Sequence, residues 1–339
     1  MEKIKIGITG YGYWGINLVR NFNLLNNVEI IICEKDQDKI KKAKKLYPDM
    51  LVTDNYEKML QEEKIKAIVL ATPVKTHFPL AKQALEAGKH VLIEKPMTSS
   101  VEEAEELIKI AKEKNVVLMV DHTFLFTAAV QKIKDIIESG DIGELHYFDS
   151  ERMNLGLLQE DSNVVWDLAP HDISIIDYLF DDEIESVFAT GSKHVNDKYE
   201  ELVHITIKYK TGLVGHLHVS WLSPVKSRRI LIGGSKKMIQ YDDVEPSEKI
   251  KIYDKGVDME KEAKKATPFS PIYRAGDILI PKLGNGEALY NMAAHFIECI
   301  ELGKQSDIAG GEKGLTVVKV IIAANESIEK GRIINVTKD

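Results

Sequence analysis

The chain of 339 residues is poor in cysteine, carries no basic excess and contains no long apolar run. Its two cysteines, Cys33 and Cys299, form no C-x-x-C pair, which argues against a disulfide framework or a thiolate zinc site. Asp and Glu number 53 against 45 Lys and Arg, a formal charge of −8, so binding to nucleic-acid phosphates is not expected. No apolar run reaches the ~18 residues of a membrane span, and residues 1–6 lead directly into a strand pattern without a signal peptide. We expect a cytoplasmic protein with neither nucleic-acid nor membrane partners.

The hydrophobic pattern divides the chain near Asp121, and the length also predicts two domains. Before this point strand patterns alternate with helix patterns, which is typical of a parallel sheet covered on both faces. The predicted strands are residues 4–9, 28–33, 67–71, 90–93 and 116–120. The predicted helices end at residues 22 and 46 or span 79–87 and 101–114, the last capped by Ser99 or Ser100. Residues 1–121 therefore form the first predicted domain, of the α/β class.

The second predicted domain, residues 122–339, contains several strands in succession. Strands without intervening helices favour a large, mostly antiparallel sheet with one open face, in an α+β domain. They are predicted at residues 145–153, 186–190, 202–209, 213–221, 227–232 and 238–242. Helices are predicted at 128–139 and, closing the chain, at 285–302 and 312–330, and residues 245–275 are predicted to form a long loop.

A glycine-rich motif, Gly10-Tyr11-Gly12-Tyr13-Trp14-Gly15, follows the first strand and opens a helix. In this position G-x-G-x-x-G is typical of a dinucleotide-binding turn, because its glycines let a pyrophosphate approach the backbone and the helix N-terminus. Glu34 follows the second strand, where a carboxylate binds the ribose 2′-hydroxyl of NAD and repels the 2′-phosphate of NADP. The motif therefore predicts NAD as cofactor, and the neighbouring Lys35 leaves NADP open.

Two further motifs carry residues typical of a family of enzymes. The first is Ala71-Thr72-Pro73 with His77, followed by Glu94-Lys95-Pro96, and the second is Trp166-Asp167 with His171-Asp172. With the glycine-rich turn they resemble the glucose–fructose oxidoreductase / inositol dehydrogenase / rhizopine catabolism family, abbreviated Gfo/Idh/MocA. The resemblance covers nearly the whole chain and implies a Rossmann domain, a second domain with a large open sheet, and nicotinamide-dependent hydride transfer at an alcohol carbon. The chain departs from the family at Ala169, where Gly is frequent, and at Ser174, where Asp is frequent.

The resemblance assigns catalysis to Lys95, Asp167 and His171. Oxidation of an alcohol requires removal of its hydroxyl proton, and histidine titrates in the range that suits this transfer. Asp167 precedes His171 by four residues, so on a helix its carboxylate can orient the imidazole. The Lys95 ammonium would stabilise the developing alkoxide. Whether Lys95 or His171 accepts the proton stays open at this point.

The other candidate residues are expected to surround the cofactor and the substrate. Beside the glycines and Glu34, the cofactor-binding candidates are Tyr11, Tyr13, Trp14, Lys35, Ala71, Thr72, Pro73, His77, Glu94, Lys95 and Pro96. The substrate-binding candidates are Lys95, Arg152, Asn154, Trp166, Asp167 and His171, and core packing is an equal alternative for Trp166. His216 and His218 share one face of a predicted strand, but no third ligand is nearby, so no metal is expected.

The substrate is expected to be a small molecule, and its class has two alternatives. Residues 164–172, 219–224 and 230–235 look most like the branch that oxidises nucleotide sugars, such as a UDP-N-acetylhexosamine at C3, in polysaccharide biosynthesis. A diphosphate would then be bound by basic residues among Arg152, Lys226, Arg228, Arg229 and Arg274. The alternative enzyme is a dehydrogenase of free sugars or cyclitols, of the inositol type. A different class, a non-catalytic NAD(P)-binding sensor, is weighed against both because some proteins of this fold lack catalysis.

The predicted open sheet also indicates an oligomer. Leu217, Val219 and Trp221 would form an exposed apolar patch on a monomer, and such patches usually mark interfaces. We therefore predict a homodimer or homotetramer paired through the sheet of the second domain.

Overall fold

A computed structural model describes residues 3–180, 182–195, 197–259 and 271–336. The chain forms two compact units, which divide it differently from the predicted boundary at residue 121. The first unit contains the chain up to Thr127 and returns with Asn285–Lys319, whereas the second contains Ala128–Gly284 and the chain from Val320 onward. The predicted second domain is therefore interrupted by a segment that packs in the first unit.

The first unit is built around a six-stranded sheet with helices between its strands. Its elements in chain order are β1 (Ile4–Thr9), α1 (Tyr13–Phe22), β2 (Val28–Cys33), α2 (Gln37–Leu46), β3 (Leu51–Thr53), α3 (Tyr56–Gln61), β4 (Ile65–Leu70), α4 (His77–Glu86), β5 (His90–Glu94), α5 (Val101–Lys114) and β6 (Leu118–Asp121). All strands run parallel in the order β3-β2-β1-β4-β5-β6, which confirms the predicted parallel sheet. The strands that follow β1 in the chain lie first on one side of it (β2 and β3) and then on the other side (β4 to β6). Such a switch point is where α/β sheets bind ligands.

Sequence patterns located most of these elements but missed β3 and α3. The bounds of β2 and α5 agree with the prediction, and Ser100 caps α5 by accepting a hydrogen bond from the Glu103 N–H at 3.2 Å. β3 has three residues and α3 has six, too few to show a clear period of apolar positions.

The second unit is built around a nine-stranded sheet. Its elements are α6 (Ala128–Glu138), β7 (Leu145–Leu155), α7 (Val164–Leu179), β8 (Ile184–Ser192), β9 (Leu202–Tyr209), β10 (Val214–Ser220), β11 (Leu222–Gly234), β12 (Met238–Asp242), β13 (Ile250–Met259), β14 (Pro271–Leu279) and β15 (Ile334–Asn335). The strand order is β14-β13-β12-β11-β7-β10-β9-β8-β15. Only β7 and β10 pair in parallel among the described residues, so the sheet is mostly antiparallel as predicted.

The predicted long loop over residues 245–275 is confirmed for residues 245–249 and is wrong for residues 250–259 and 271–275, which form strands. β13 and β14 pair there as an antiparallel hairpin arm at one edge of the sheet, and residues 260–270 of the expected loop lie outside the described residues. None of the nine positions of β14 is buried, so the strand shows no alternation of buried and exposed side chains that a sequence pattern could reveal.

The apolar residues that were expected to form an exposed patch lie in the core instead. Leu217 and Val219 are fully buried and Trp221 is 2% exposed. On β10 the alternate positions His216 and His218 occupy the opposite, accessible face, since successive side chains of a strand point to opposite faces. The predicted exposed patch is therefore wrong. The oligomer stays a prediction, but this patch no longer supports it.

Two closing helices, α8 (Ala288–Leu302) and α9 (Gly311–Lys330), begin in the first unit. Phe296 of α8 is fully buried against Phe22 of α1, with ring centroids 6.4 Å apart and ring planes nearly perpendicular. At the start of α8, both carboxylate oxygens of Glu287 accept hydrogen bonds from the Arg20 guanidinium. This packing returns α8 to the first unit. In the described ranges, no helix combines the length and apolarity of a membrane span.

Phe296→Ala tests the packing of α8. We expect it to lower the free energy of unfolding by about 3–5 kcal/mol, because it removes a buried ring and leaves a cavity. Urea denaturation of the whole protein measures the change. The matched control is Leu302→Ala on the same helix, where the side chain is 61% exposed and the expected change is within about 0.5 kcal/mol. Equal losses from both variants would contradict this packing role.

Candidate functional site

The glycine-rich turn connects the end of β1 to the start of α1. Gly10 has a φ of +93°, and a Cβ there would collide with the Ala71 carbonyl. A Cβ on Gly15 would collide with the Gly10 carbonyl, whereas a Cβ on Gly12 would meet no atom of the described residues within 4 Å. The N-cap residue of α1 is Gly12, which has no side chain to cap the helix. The turn thus offers open space beside Gly12 and helix N–H groups, the combination that binds a phosphate.

The Glu34 carboxylate is fixed beside this turn by three backbone N–H groups. Its Oε2 accepts from Tyr11 N at 2.7 Å, and its Oε1 accepts from Lys35 N at 2.8 Å and from Asp36 N at 3.0 Å. The residue follows β2 directly, at the edge where the switch point lies. A carboxylate held in this position can accept a hydrogen bond from a ribose hydroxyl. The residues of the turn and Glu34 therefore fit a dinucleotide of the NAD type.

The aromatic residues of the turn differ in exposure. Tyr11 is 3% exposed, while Tyr13 and Trp14 are 83% and 38% exposed. The Tyr13 and Trp14 rings meet edge to face with centroids 5.7 Å apart. These two rings are accessible at the start of α1, and Tyr11 packs in the core.

His77 connects two of the motifs that were expected to line the cofactor. Its Nδ1 lies 2.9 Å from the Pro96 carbonyl oxygen and its Nε2 lies 2.8 Å from that of Thr72. The ring is 1% exposed; burial lowers the pKa of His77, and the two carbonyl groups act in the opposite direction. His77 therefore holds the segment after β4 next to the segment after β5.

Lys95 follows the last residue of β5, and the Lys95–Pro96 peptide bond is cis. Asp121 and His122, at the end of the adjacent strand β6, were not among the predicted site residues. Burial and the Lys95 charge lower the pKa of His122 to about 3, so this ring is neutral at neutral pH. The available signal was positional, because Asp121 ends, and His122 follows, an apolar strand next to the one that ends at Glu94.

In the second unit, α7 carries the predicted catalytic pair. Asp167 and His171 are four residues apart in this helix and so lie on one face of it, and both are half-buried. Asp167 Oδ2 accepts a hydrogen bond of 2.9 Å from Trp221 Nε1, which fixes the carboxylate. Trp166, the residue before Asp167, is also half-buried, so its ring is partly accessible. Substrate binding by Trp166 stays a prediction. No sequence signal pointed to Trp221 as the partner of Asp167.

A buried ion pair supports α7 from β7. Arg152 Nε lies 3.1 Å from both carboxylate oxygens of Asp172, and Arg152 Nη2 lies 2.7 Å from Oδ1. The two side chains are 6% and 1% exposed. Much of the Arg152 guanidinium is thus occupied by Asp172, the residue directly after His171. Substrate binding by Arg152 and by the half-buried Asn154 stays a prediction.

Most of the basic residues expected to bind a diphosphate have acidic partners. Arg228 pairs with Asp243, Arg229 with Glu151 and Arg274 with Asp254, at 3.0–3.1 Å. Lys226 and Arg229 line a cavity of about 420 Å³ in the second unit. Glu151, Asp242 and Glu245 line the same cavity, so its charge does not favour an anion.

The structure adds a third histidine to His216 and His218. His204 of β9 stacks on His218 with ring centroids 4.1 Å apart and lies 6.0 Å from His216. The spacing of His216 and His218 in the sequence did not indicate this neighbour. Across the described ranges, however, no three His, Cys, Asp or Glu side chains are grouped to hold a metal ion.

Comparisons with known proteins agree with this geometry. Residues 4–122 match a family model described as "Oxidoreductase family, NAD-binding Rossmann fold", and residues 130–240 match the GFO/IDH/MocA C-terminal domain. UDP-N-acetylglucosamine 3-dehydrogenase of Acidithiobacillus ferrooxidans is 27% identical over 237 residues, 68% of this chain and 72% of that protein. Myo-inositol 2-dehydrogenase of Thermotoga maritima is 24% identical over 258 residues, 71% of this chain and 76% of that protein.

Solved structures show the same fold over the full length. The structure of the Acidithiobacillus ferrooxidans enzyme, GnnA, has a TM-score of 0.80 at 23% identity and covers 97% of this chain and 99% of its own. Levoglucosan dehydrogenase in complex with NADH and L-sorbose has a TM-score of 0.84 at 21% identity, with full coverage of both chains.

Asp172→Ala tests the buried ion pair. We expect it to lower the free energy of unfolding by about 3–5 kcal/mol, because the buried Arg152 guanidinium loses the carboxylate that forms this ion pair. Urea denaturation measures the loss. Glu151→Gln is the matched control on the neighbouring position of β7; its partner Arg229 is 43% exposed, so less than about 1 kcal/mol is expected. The pair is not the support of α7 if both variants lose the same small amount.

Proposed function

We propose that this chain, which belongs to the Gfo/Idh/MocA family of NAD-binding oxidoreductases, oxidises a secondary alcohol of a sugar. The sugar is proposed to be that of a nucleotide sugar. The observation that carries the proposal is the placement of the glycine-rich turn, Glu34 and Lys95 after the carboxyl ends of β1, β2 and β5, at one edge of a parallel sheet. That edge is where sheets of this class bind a dinucleotide and present it for reaction.

The glycine-rich turn and Glu34 would hold NAD, which when bound would supply the acceptor for the hydride of the alcohol carbon. His171 is proposed to take the hydroxyl proton, with Asp167 orienting its imidazole from one turn earlier in α7. Trp221 in turn fixes Asp167. Lys95 is proposed to donate a hydrogen bond to the developing alkoxide. Lys95 is the alternative proton acceptor.

Support for a nucleotide sugar comes from the sequence. Residues 164–172 and 219–224 resemble the nucleotide-sugar branch, and GnnA acts on UDP-N-acetylglucosamine by its name. We propose oxidation at C3 of a UDP-N-acetylhexosamine, in the synthesis of a polysaccharide. The ion pairs of Arg152, Arg228, Arg229 and Arg274 weaken one argument for a diphosphate. A dehydrogenase of free sugars or cyclitols therefore remains the second candidate, favoured by the likeness to myo-inositol 2-dehydrogenase.

The substrate is tested by NADH absorbance, with purified protein screened against nucleotide sugars, free hexoses and cyclitols. Turnover of a nucleotide sugar but not of its free sugar supports the proposal. Turnover of free sugars or cyclitols alone assigns the protein to the second candidate. If NADH binds and no alcohol in the panel reacts, the non-catalytic sensor becomes the better interpretation.

Lys95→Ala and His171→Ala test the catalytic roles. We expect kcat to fall about 10²–10³-fold for Lys95→Ala and about 10²–10⁴-fold for His171→Ala, because each removes a group that acts on the substrate oxygen or its proton. NADH binding, followed by fluorescence, should change little in either variant. The controls are Lys109→Ala and His146→Ala, both exposed. A variant with full turnover removes its residue from the mechanism.

Glu34→Gln tests the choice of cofactor. The kcat/KM ratio of NADP to NAD should rise about ten-fold, roughly 1.4 kcal/mol, because a negative charge beside the 2′-phosphate is removed. Steady-state kinetics with each cofactor measure the ratio. Asp36→Asn is the control, since Asp36 is an exposed neighbouring carboxylate and Asn keeps the N-cap of α2. An unchanged ratio in Glu34→Gln, or an equal rise in Asp36→Asn, would show that Glu34 does not select NAD.

A further inference from the structure

Trp221 lies at the junction of β10 and β11 and is held there through its backbone. Its N–H donates to the Glu201 carbonyl oxygen at 2.9 Å, and its own carbonyl oxygen accepts from Gly156 N at 3.0 Å. Glu201 directly precedes β9, and Gly156 directly follows β7. The residue is 2% exposed, so its ring presents almost no surface to a bound substrate. Trp221 is therefore anchored between two other strands of the same sheet.

The indole ring contacts Gly156 and Asp167 through neighbouring atoms. Its Nε1 donates to Asp167 Oδ2 at 2.9 Å. Cδ1, the ring atom bonded to Nε1, lies where a Cβ on Gly156 would be only 2.8 Å away, a distance at which the ring would have to shift. The missing side chain at residue 156 therefore leaves the space in which the indole N–H reaches the Asp167 carboxylate.

Asp167 is in the first turn of α7, one turn before His171. Side chains four residues apart on a helix are neighbours, so the direction of the Asp167 carboxylate decides how it meets the imidazole. A hydrogen bond to an ionised carboxylate is stronger than one between neutral groups. Because the donor belongs to an anchored ring, this bond restricts the rotation of the whole planar carboxylate.

We propose that Trp221 is a positioning residue, whose indole N–H holds the Asp167 carboxylate toward His171, and that Gly156 is required for this contact. Trp221 acts through Asp167 and does not touch the reacting alcohol. The contact and its dependence on Gly156 are independent of the proposed function, whereas the effect of Trp221 on turnover rests on that function.

Proton–nitrogen NMR of the folded protein tests the contact without a substrate. The chain has three tryptophans, and the indole N–H signal of Trp221 is identified as the one missing from Trp221→Phe. In Asp167→Ala this signal should move upfield, because the indole proton loses a charged acceptor. Gly156→Ala should move it in the same direction by displacing the ring.

The matched control for the NMR experiment is Asp177→Ala. Asp177 is also a half-buried aspartate of α7, ten residues after Asp167 and so about 15 Å away along the helix. This variant should leave the Trp221 signal in place. An unmoved signal in Asp167→Ala would overturn the contact, and an unmoved signal in Gly156→Ala would overturn the requirement for Gly156.

A double-mutant cycle tests the positioning role in turnover. Trp221→Phe keeps an aromatic ring and removes the donor, so we expect kcat to fall about 10–100-fold with substrate KM nearly unchanged. In an Asp167→Ala background the same change should lower kcat no further, because no carboxylate is left to hold. Tyr209→Phe is the control: it removes a buried hydroxyl that has no hydrogen-bond partner among the described residues, and kcat should not change.

The cycle separates positioning from packing. If Trp221→Phe lowers kcat by the same factor with and without Asp167, the positioning role is overturned and Trp221 acts through packing alone. Full turnover in Asp167→Ala would remove Asp167 from the proposed mechanism and the positioning role with it, while the NMR signal still decides the contact. Gly156→Ala keeps every atom of the indole and replaces Trp221→Phe in the cycle if that variant does not fold.

Discussion

In the first unit six strands run parallel, so their carboxyl ends meet at one edge of the sheet. Gly10, Glu34, Ala71, Lys95 and His122 each follow one of these ends, although they are far apart in sequence. Backbone pairing of β1 with both β2 and β4 sets the switch point, and the glycine-rich turn lies directly after it. A dinucleotide site needs no other device to bring these residues together.

Within each unit, contacts to other side chains and to the backbone hold the candidate site residues. The two ring nitrogens of His77 lie within hydrogen-bond distance of the Thr72 carbonyl oxygen, after β4, and the Pro96 carbonyl oxygen, after β5. Glu34 accepts hydrogen bonds from three backbone N–H groups beside the glycine-rich turn. In the second unit Trp221 holds Asp167 and Arg152 holds Asp172, on either side of His171. Such contacts hold a side chain in one orientation, and catalysis depends on the orientation of the groups that act on the substrate.

Charge is matched closely in both units. Arg152, Arg228, Arg229 and Arg274 all face carboxylates, which leaves the second unit with less positive charge than its sequence suggests. In the first unit Arg20 likewise pairs with the Glu287 carboxylate. A count of basic residues is therefore a weak guide to anion binding, because the partner of each arginine decides what charge remains.

The sequence by itself determined the two fold classes, most strands and helices of each, and the motifs at the cofactor edge, because these depend on local periodicity and on short spacings. It did not find β3 and α3, which are short, nor β13 and the edge strand β14, of which β14 has no buried position. Only the tertiary structure decided which face of β10 is buried, where α8 packs, and that Glu94 meets Asp121 and Asp167 meets Trp221. Those contacts join residues distant along the chain, and strand register and helix packing, which no local pattern encodes, select them.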